Sequence, residues 1–275
     1  MAIKDILTVI DLAGKQRTAQ AALELAQRTG AHATGLAVAF EPVVPGFIAA
    51  PMPPDYIEVA RTQALKAAKD AGAAFSEMAR KAGVTAEVRT AEMITGGASD
   101  PVVSHCRLTD LVVIGQENPD EPEPMREMLI ESILFEAGVP VMVVPYIGGG
   151  LPMKNVLVAW DGSPTASRAV HAALPLLQMA EKVTVMIVET GRRSAGEPGT
   201  DIATYLARHG LDVTIDVVPR PQTGVADAIL NYVSDKGIDM IAMGGYGHSR
   251  MREFLFGGAT RDILASMTVP VLMAH

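Results

Sequence analysis

Short apolar runs alternate with amphipathic stretches along the whole chain. Residues 155–160, NVLVAW, are apolar without a break after Asn155, the pattern of a strand buried on both faces. Pro164 follows, and proline suits a helix's first turn, where its missing N–H is not needed. Apolar positions then recur at helical spacing. Further strands are predicted at 183–188, 212–218, 238–243 and 269–273, with helices at 200–209, 225–234 and 258–267. The first half has the same order: strands at 6–10, 33–39, 85–90, 111–114 and 139–144, helices at 15–28, 56–81, 101–107 and 125–135. Strands separated by helices mean a parallel sheet covered on both faces, and right-handed crossovers leave few topologies.

The pattern is one unit written twice. KDILTVID from Lys4 and KNVLVAWD from Lys154 open alike, each ending in an aspartate before a turn and a helix. The segments closing on Val-Pro-Val also correspond. The offset is 150 residues at Asp11 and Asp161, and 130 at Pro140 and Pro270, so the copies differ by insertions. The division expected is a first domain over 1–146, a linker over 147–152 (Ile-Gly-Gly-Gly-Leu-Pro) and a second domain over 153–275. The fold class expected is α/β: two tandem, open, mostly parallel five-stranded sheets with helices on both faces.

Composition narrows the function. With 275 residues, 49% hydrophobic and a formal charge of −8, the chain is neither disordered nor a general nucleic-acid binder. A single cysteine rules out a disulfide scaffold. No apolar run reaches the ~18 residues of a membrane span, and the charged N-terminus does not read as a signal peptide. A soluble cytoplasmic protein is expected.

Ligands of such sheets sit at the carboxyl ends of the strands. After the second unit's fourth strand the chain reads Met243-Gly244-Gly245-Tyr246-Gly247-His248, then Gly257-Gly258-Ala259-Thr260. Glycines let backbone N–H groups approach a ligand closely. The second glycine pair opens the last helix, whose N-terminus offers free donors and partial positive charge. Arg250 and Arg252 add charge nearby, and a phosphate chain fits between the glycine clusters. Tight turns alone are the plainer explanation of such glycines; their place between strand end and helix favours binding.

Here the sequence resembles the ATP-binding universal stress proteins. Their pattern is G-x-x-G, nine residues, then G followed by Ser or Thr; Gly244, Gly247 and Gly257 match it, with nine residues from His248 to Phe256. NVLVAWDGSP and TVPVLM resemble the family's first and last strands. The resemblance covers the chain as a tandem pair and implies a Rossmann-like fold of universal stress protein type, packed as a pseudo-dimer through its last strands, 139–144 and 269–273. A homodimer through these strands is a further form of self-association. It implies a stress-response regulatory module binding ATP, with or without Mg²⁺, or another adenine nucleotide. Asp161, flanked by Trp160 and Gly162, would lie by the adenine or ribose, and Val188 would line the adenine pocket. Met243 and Gly244 would border sugar and phosphates. Gly247, Gly257, Gly258 and Ala259 would offer N–H groups to the phosphates, and His248 could contact phosphate when protonated. The departure is Gly258, where the family has Ser or Thr; the lost hydrogen bond is worth ~1.5–3 kcal/mol. Thr260 restores a hydroxyl if the turn shifts.

The first unit lacks the pattern. Its loop, Gly115 to Glu127, keeps one glycine and carries Glu117, Asp120, Glu121, Glu123 and Glu127 where phosphates would lie. Residues 1–150 hold 12 basic and 19 acidic side chains; residues 151–275 hold 11 and 12. Only the second unit tolerates a polyanion. The first is longer from Asp11 to Gly115, 104 positions against 83 from Asp161 to Gly244, largely through the Pro-rich stretch 41–55. That stretch is read as a loop packed on its own domain, with a lid, a partner-docking segment or a cover over a small apolar ligand as alternatives.

The six histidines show no metal-ligand spacing. Cys106 reads as a buried thiol rather than a nucleophile paired with His105. No general base, nucleophile or Mg²⁺-binding acidic cluster marks a dedicated phosphoryl-transfer enzyme. Slow ATP hydrolysis is compatible with the site. The alternatives are a nucleotide-independent partner-binding scaffold and an adenylate-forming hydrolase. The latter's S-G-G-x-D or H-x-G-H is replaced here by D-G-S-P and D-L-A-G.

Overall fold

The structure is a computed structural model that describes residues 2–12, 16–41, 55–123, 125–148, 150–189, 197–219, 222–247 and 258–275. By contact the chain divides into two compact units, Ile3–Val139 and Pro140–His275.

In the first unit, β1 (Asp5–Val9), β2 (His32–Glu41), β3 (Ala86–Ile94) and β4 (Leu111–Gly115) form a parallel sheet ordered β3-β2-β1-β4. The connections hold α1 (Arg17–Thr29), α2 (Asp55–Ala82) and α3 (Asp100–Cys106), and α4 (Arg126–Glu136) follows β4. Leu7, Leu36, Leu111, Val113 and Phe75 are buried, as the continuous apolar strands require. Gly35 of β2 admits α2: a Cβ there would lie 2.6 Å from the Phe75 ring.

The second unit orders its strands β5-β10-β9-β6-β7-β8. These are β5 (Val141–Val144), β6 (Asn155–Ala159), β7 (Lys182–Glu189), β8 (Val213–Pro219), β9 (Met240–Gly244) and β10 (Val271–Ala274). All its pairs are parallel except β5 with β10, which run antiparallel with Leu272 opposite Met142. Its helices are α5 (Pro164–Leu177), α6 (Thr200–Arg208), α7 (Val225–Lys236) and α8 (Ala259–Ser266). The two closing strands thus pair as expected, and β5, written as the last strand of the first repeat, packs with the second unit. Leu151 within the expected linker and Met153 just after it are fully buried, so this end of the stretch is packed chain rather than a loose tether.

Several expected boundaries move by a residue or two, and two of the shifts have a clear cause. Ile238, read as the start of β9, instead closes α7: Gly237 is left-handed (φ 61°) and the Ile238 N–H donates to Val233 O, with Ile238 buried against the helix end. β3 runs four residues beyond 90 because β2 continues to Glu41 and keeps pairing, Glu41 opposite Ile94. Stretch 42–54 lies outside the described residues.

Candidate functional site

In the second unit the chain passes from β6 to β7 to β8 on one side, then returns through β9 and β10 on the other side of β6. The winding reverses between β6 and β9, and their carboxyl ends border the switch point where open parallel sheets take ligands.

Trp160 leaves β6 with its N–H donating to Met186 O at 2.9 Å. Asp161 follows, exposed, and its carboxylate accepts the Ser163 N–H at 2.9 Å. Gly162 between them holds φ 74°, which this tight turn requires. Ser163 caps α5: its hydroxyl accepts the Ala166 N–H at 3.1 Å and lies 3.1 Å from the Thr165 hydroxyl. Val188 lies half-buried near the end of β7. Met243 is buried in β9 between Ala159 of β6 and Met273 of β10.

The loop after β9 crosses over the first turn of α5. A Cβ at Gly244 would lie 2.6 Å from both Ala166 N and Thr165 Oγ1, so only glycine fits. A Cβ at Gly247 would lie 3.2 Å from Thr165 Oγ1 and 3.8 Å from Ser163 Oγ. Gly247 is exposed above this hydroxyl pair. Gly258 is the N-cap of α8 and gives it no side-chain cap; Ala259 and Thr260 form its first turn. Thr260 is buried and accepts the Tyr246 N–H at 3.0 Å. The switch point therefore brings Asp161–Gly162 and Gly244–Gly247 together, with Val188 on the neighbouring strand. His248, Arg250, Arg252 and Gly257 lie outside the described residues. Ser163 and Thr165 escape the motif-based reading. A Ser-Pro-x cap after a strand-end aspartate was the available signal.

The first unit spends the corresponding groups on itself. A Cβ at Gly115, which ends β4, would meet Thr18 Oγ1 at 2.7 Å, as one at Gly244 would meet Thr165. Asp11, however, folds back onto α1. It accepts from Thr18 N (3.2 Å) and Thr18 Oγ1 (2.9 Å), and pairs with Arg126 Nη2 at 3.0 Å. The same guanidinium nitrogen pairs with Glu123, whose other oxygen accepts the Leu12 N–H at 2.8 Å. Arg126 is only 4% exposed, with Asp11 at 17% and Glu123 at 15%. Burial pushes the Glu117 carboxyl up; Arg126 pulls it back, and the neighbouring Glu127 charge adds to the rise. Acidic residues do occupy this loop, and what the sequence left unread is the buried arginine that pairs with one of them, Glu123, and with Asp11. Burial pushes the Cys106 thiol up to about 12, so it is an inert core group. Among the described residues no three His, Cys, Asp or Glu side chains are grouped to hold a metal ion, and no helix is long and apolar enough to cross a membrane.

Fold and site define a class: an open parallel α/β unit whose glycine loop faces a strand-end aspartate across the switch point. Residues 203–275 match the model of the universal stress protein family. The chain is 30% identical over 152 residues to universal stress protein Slr1230 of Synechocystis sp. (strain ATCC 27184 / PCC 6803 / Kazusa), covering 52% of this chain and 49% of that protein. It is 23% identical over 147 residues to universal stress protein YxiE of Bacillus subtilis (strain 168), covering 44% of this chain and 99% of that one. The chain thus spans about half the length of the first relative and nearly all of the second. In fold it is similar to a universal stress protein from Archaeoglobus fulgidus DSM 4304, with a TM-score of 0.71 and 18% identity over 98% of this chain and 95% of that one.

Proposed function

We propose that the second unit binds an adenine nucleotide, ATP foremost, with or without Mg²⁺, and that the chain works as a nucleotide-dependent stress-response module. The observation that supports this most is the contrast between the two strand-end aspartates. Asp11 is consumed by Thr18 and Arg126, whereas Asp161 stays exposed beside the glycine loop. In this reading Asp161, with Trp160 and Gly162, meets the ribose or adenine. Val188 lines the base, and Met243 and Gly244 border the sugar. Gly247, Gly257, Gly258 and Ala259 give backbone N–H groups to the phosphates, which carry the binding. His248, next in sequence to Gly247, adds charge to them when protonated. Within this proposal the domains are those of the repeat, with the glycine linker between them, and the first unit takes no nucleotide.

Gly247→Val tests the site. Its new side chain meets a movable hydroxyl rather than backbone, so the fold should be spared while the approach to phosphate is blocked. ATP affinity, measured by calorimetry, should fall at least about tenfold, roughly one charge-assisted hydrogen bond, with an unchanged circular dichroism spectrum. Undiminished affinity would sink the site. If the wild type itself binds no ATP at millimolar concentration, the partner-binding scaffold, which the bare Gly258 cap favours, takes its place.

A further inference from the structure

Thr260 is a hydroxyl buried on a helix face that otherwise packs apolar groups. Counted back from the closing Val-Pro-Val of each repeat, its counterpart in the first unit is Ile130. Both are buried, Thr260 at 4% exposure and Ile130 at 3%. A buried hydroxyl is costly unless it is hydrogen-bonded. The partner of this one is the backbone N–H of Tyr246, 3.0 Å away and 14 residues earlier in sequence. Tyr246 holds φ 50°, a left-handed conformation that a residue with a Cβ adopts only when its surroundings impose it. Gly245, just before it, is tied to β10: its N–H donates to Ala274 O at 2.9 Å, and its carbonyl accepts from His275 Nδ1 at 3.1 Å. The loop is thus pinned to β10 through Gly245 and to α8 through Tyr246. Gly247 is the next residue, placed over the Ser163–Thr165 hydroxyl pair.

We infer that Thr260 is a positioning residue of the nucleotide site. Its hydroxyl accepts the Tyr246 N–H and imposes the left-handed turn that presents Gly247 to the phosphates, while the buried side chain itself does not touch the ligand. It therefore does not replace the hydroxyl that Gly258 lacks; it sets the loop that the other donors need. The inference rests on the binding reading above.

The test compares wild type, Thr260→Val, which keeps the shape and removes the acceptor, and Thr260→Ser, which keeps the acceptor. Thr260→Ala replaces the valine variant if circular dichroism shows that it does not fold. Exchange of the Tyr246 amide, followed by NMR without nucleotide, should speed up by about tenfold or more in Thr260→Val and stay within about threefold of wild type in Thr260→Ser. ATP affinity should fall by about tenfold in the first variant and be rescued in the second. Wild-type exchange at Tyr246 in Thr260→Val overturns the inference, and so does fast exchange with undiminished ATP affinity. A wild-type protein that takes no ATP overturns the binding reading, and the exchange contrast then still decides whether Thr260 sets the turn.

Discussion

Gly115 and Gly244 occupy the same place at the ends of β4 and β9, each pressed against the threonine in the first turn of the facing helix. Glycine is required there by packing in both units, whatever either unit binds, so a substitution at Gly244 would report on the fold. Gly247 has no such neighbour in backbone and is the residue through which binding can be separated from folding. The same distinction governs the acids. Glu117 sits partly buried, and its carboxyl is held above the ordinary range chiefly by lost hydration. A carboxyl raised in the folded state favours folding while it is protonated and opposes it once pH rises through its folded value. Glu117→Gln should therefore raise the melting temperature at pH 7 and leave it nearly unchanged at pH 4. Equal shifts at both pH values would contradict the burial of this carboxyl. The two aspartates show how far residues alone can be read. Asp11 and Asp161 each close an apolar first strand before a turn and a helix, and it is the contacts with Thr18 and Arg126 that tie up the first while the second stays exposed.

The order of helices and strands is legible because the central β-strands are continuous apolar runs, the outer ones β3 and β8 alternate, and the helices are periodic. What escaped lies where another interaction outranks the pattern. Ile238 belongs to the end of α7 because Gly237 turns the chain left-handed there. The last residues of β3, Ala91–Ile94, only alternate, with Ala91 and Met93 buried and Glu92 and Ile94 exposed, and they pair because β2 runs beside them. α4 begins at Arg126, and no periodicity announces that this first residue is buried. Its guanidinium joins the end of β1, through Asp11, to the chain entering α4, through Glu123. Arg126→Met should leave two largely buried carboxylates without their cation and destabilise the protein by about 3 kcal/mol, read from urea unfolding. Removing Glu123 in the same protein should then cost much less than it does alone, since the partner is already gone. Additive losses would show that the pair does not join these elements.

At the scale of the molecule, the repeat gives each unit the same order of strands and the same switch point, and divergence has changed what stands there. The first unit has filled its switch point with a buried ion pair and surrounded it with acids. The second has kept a glycine loop pinned by Thr260 and β10 over a hydroxyl-bearing helix turn. Sequence and structure agree on this asymmetry from different directions, one through glycines and charge, the other through the fates of Asp11 and Asp161. The antiparallel pairing of β5 with β10 was readable only by resemblance, because partner choice between two closing strands leaves no trace in either strand's own pattern. The asymmetry has a direct test. The purified chain is denatured and any released nucleotide is identified and counted by mass spectrometry, followed by calorimetric titration of nucleotide-free protein with ATP. One adenine nucleotide per chain is the expected result. Two per chain would contradict the closure of the first unit, and none, with no heat at millimolar ATP, would contradict nucleotide binding by the second.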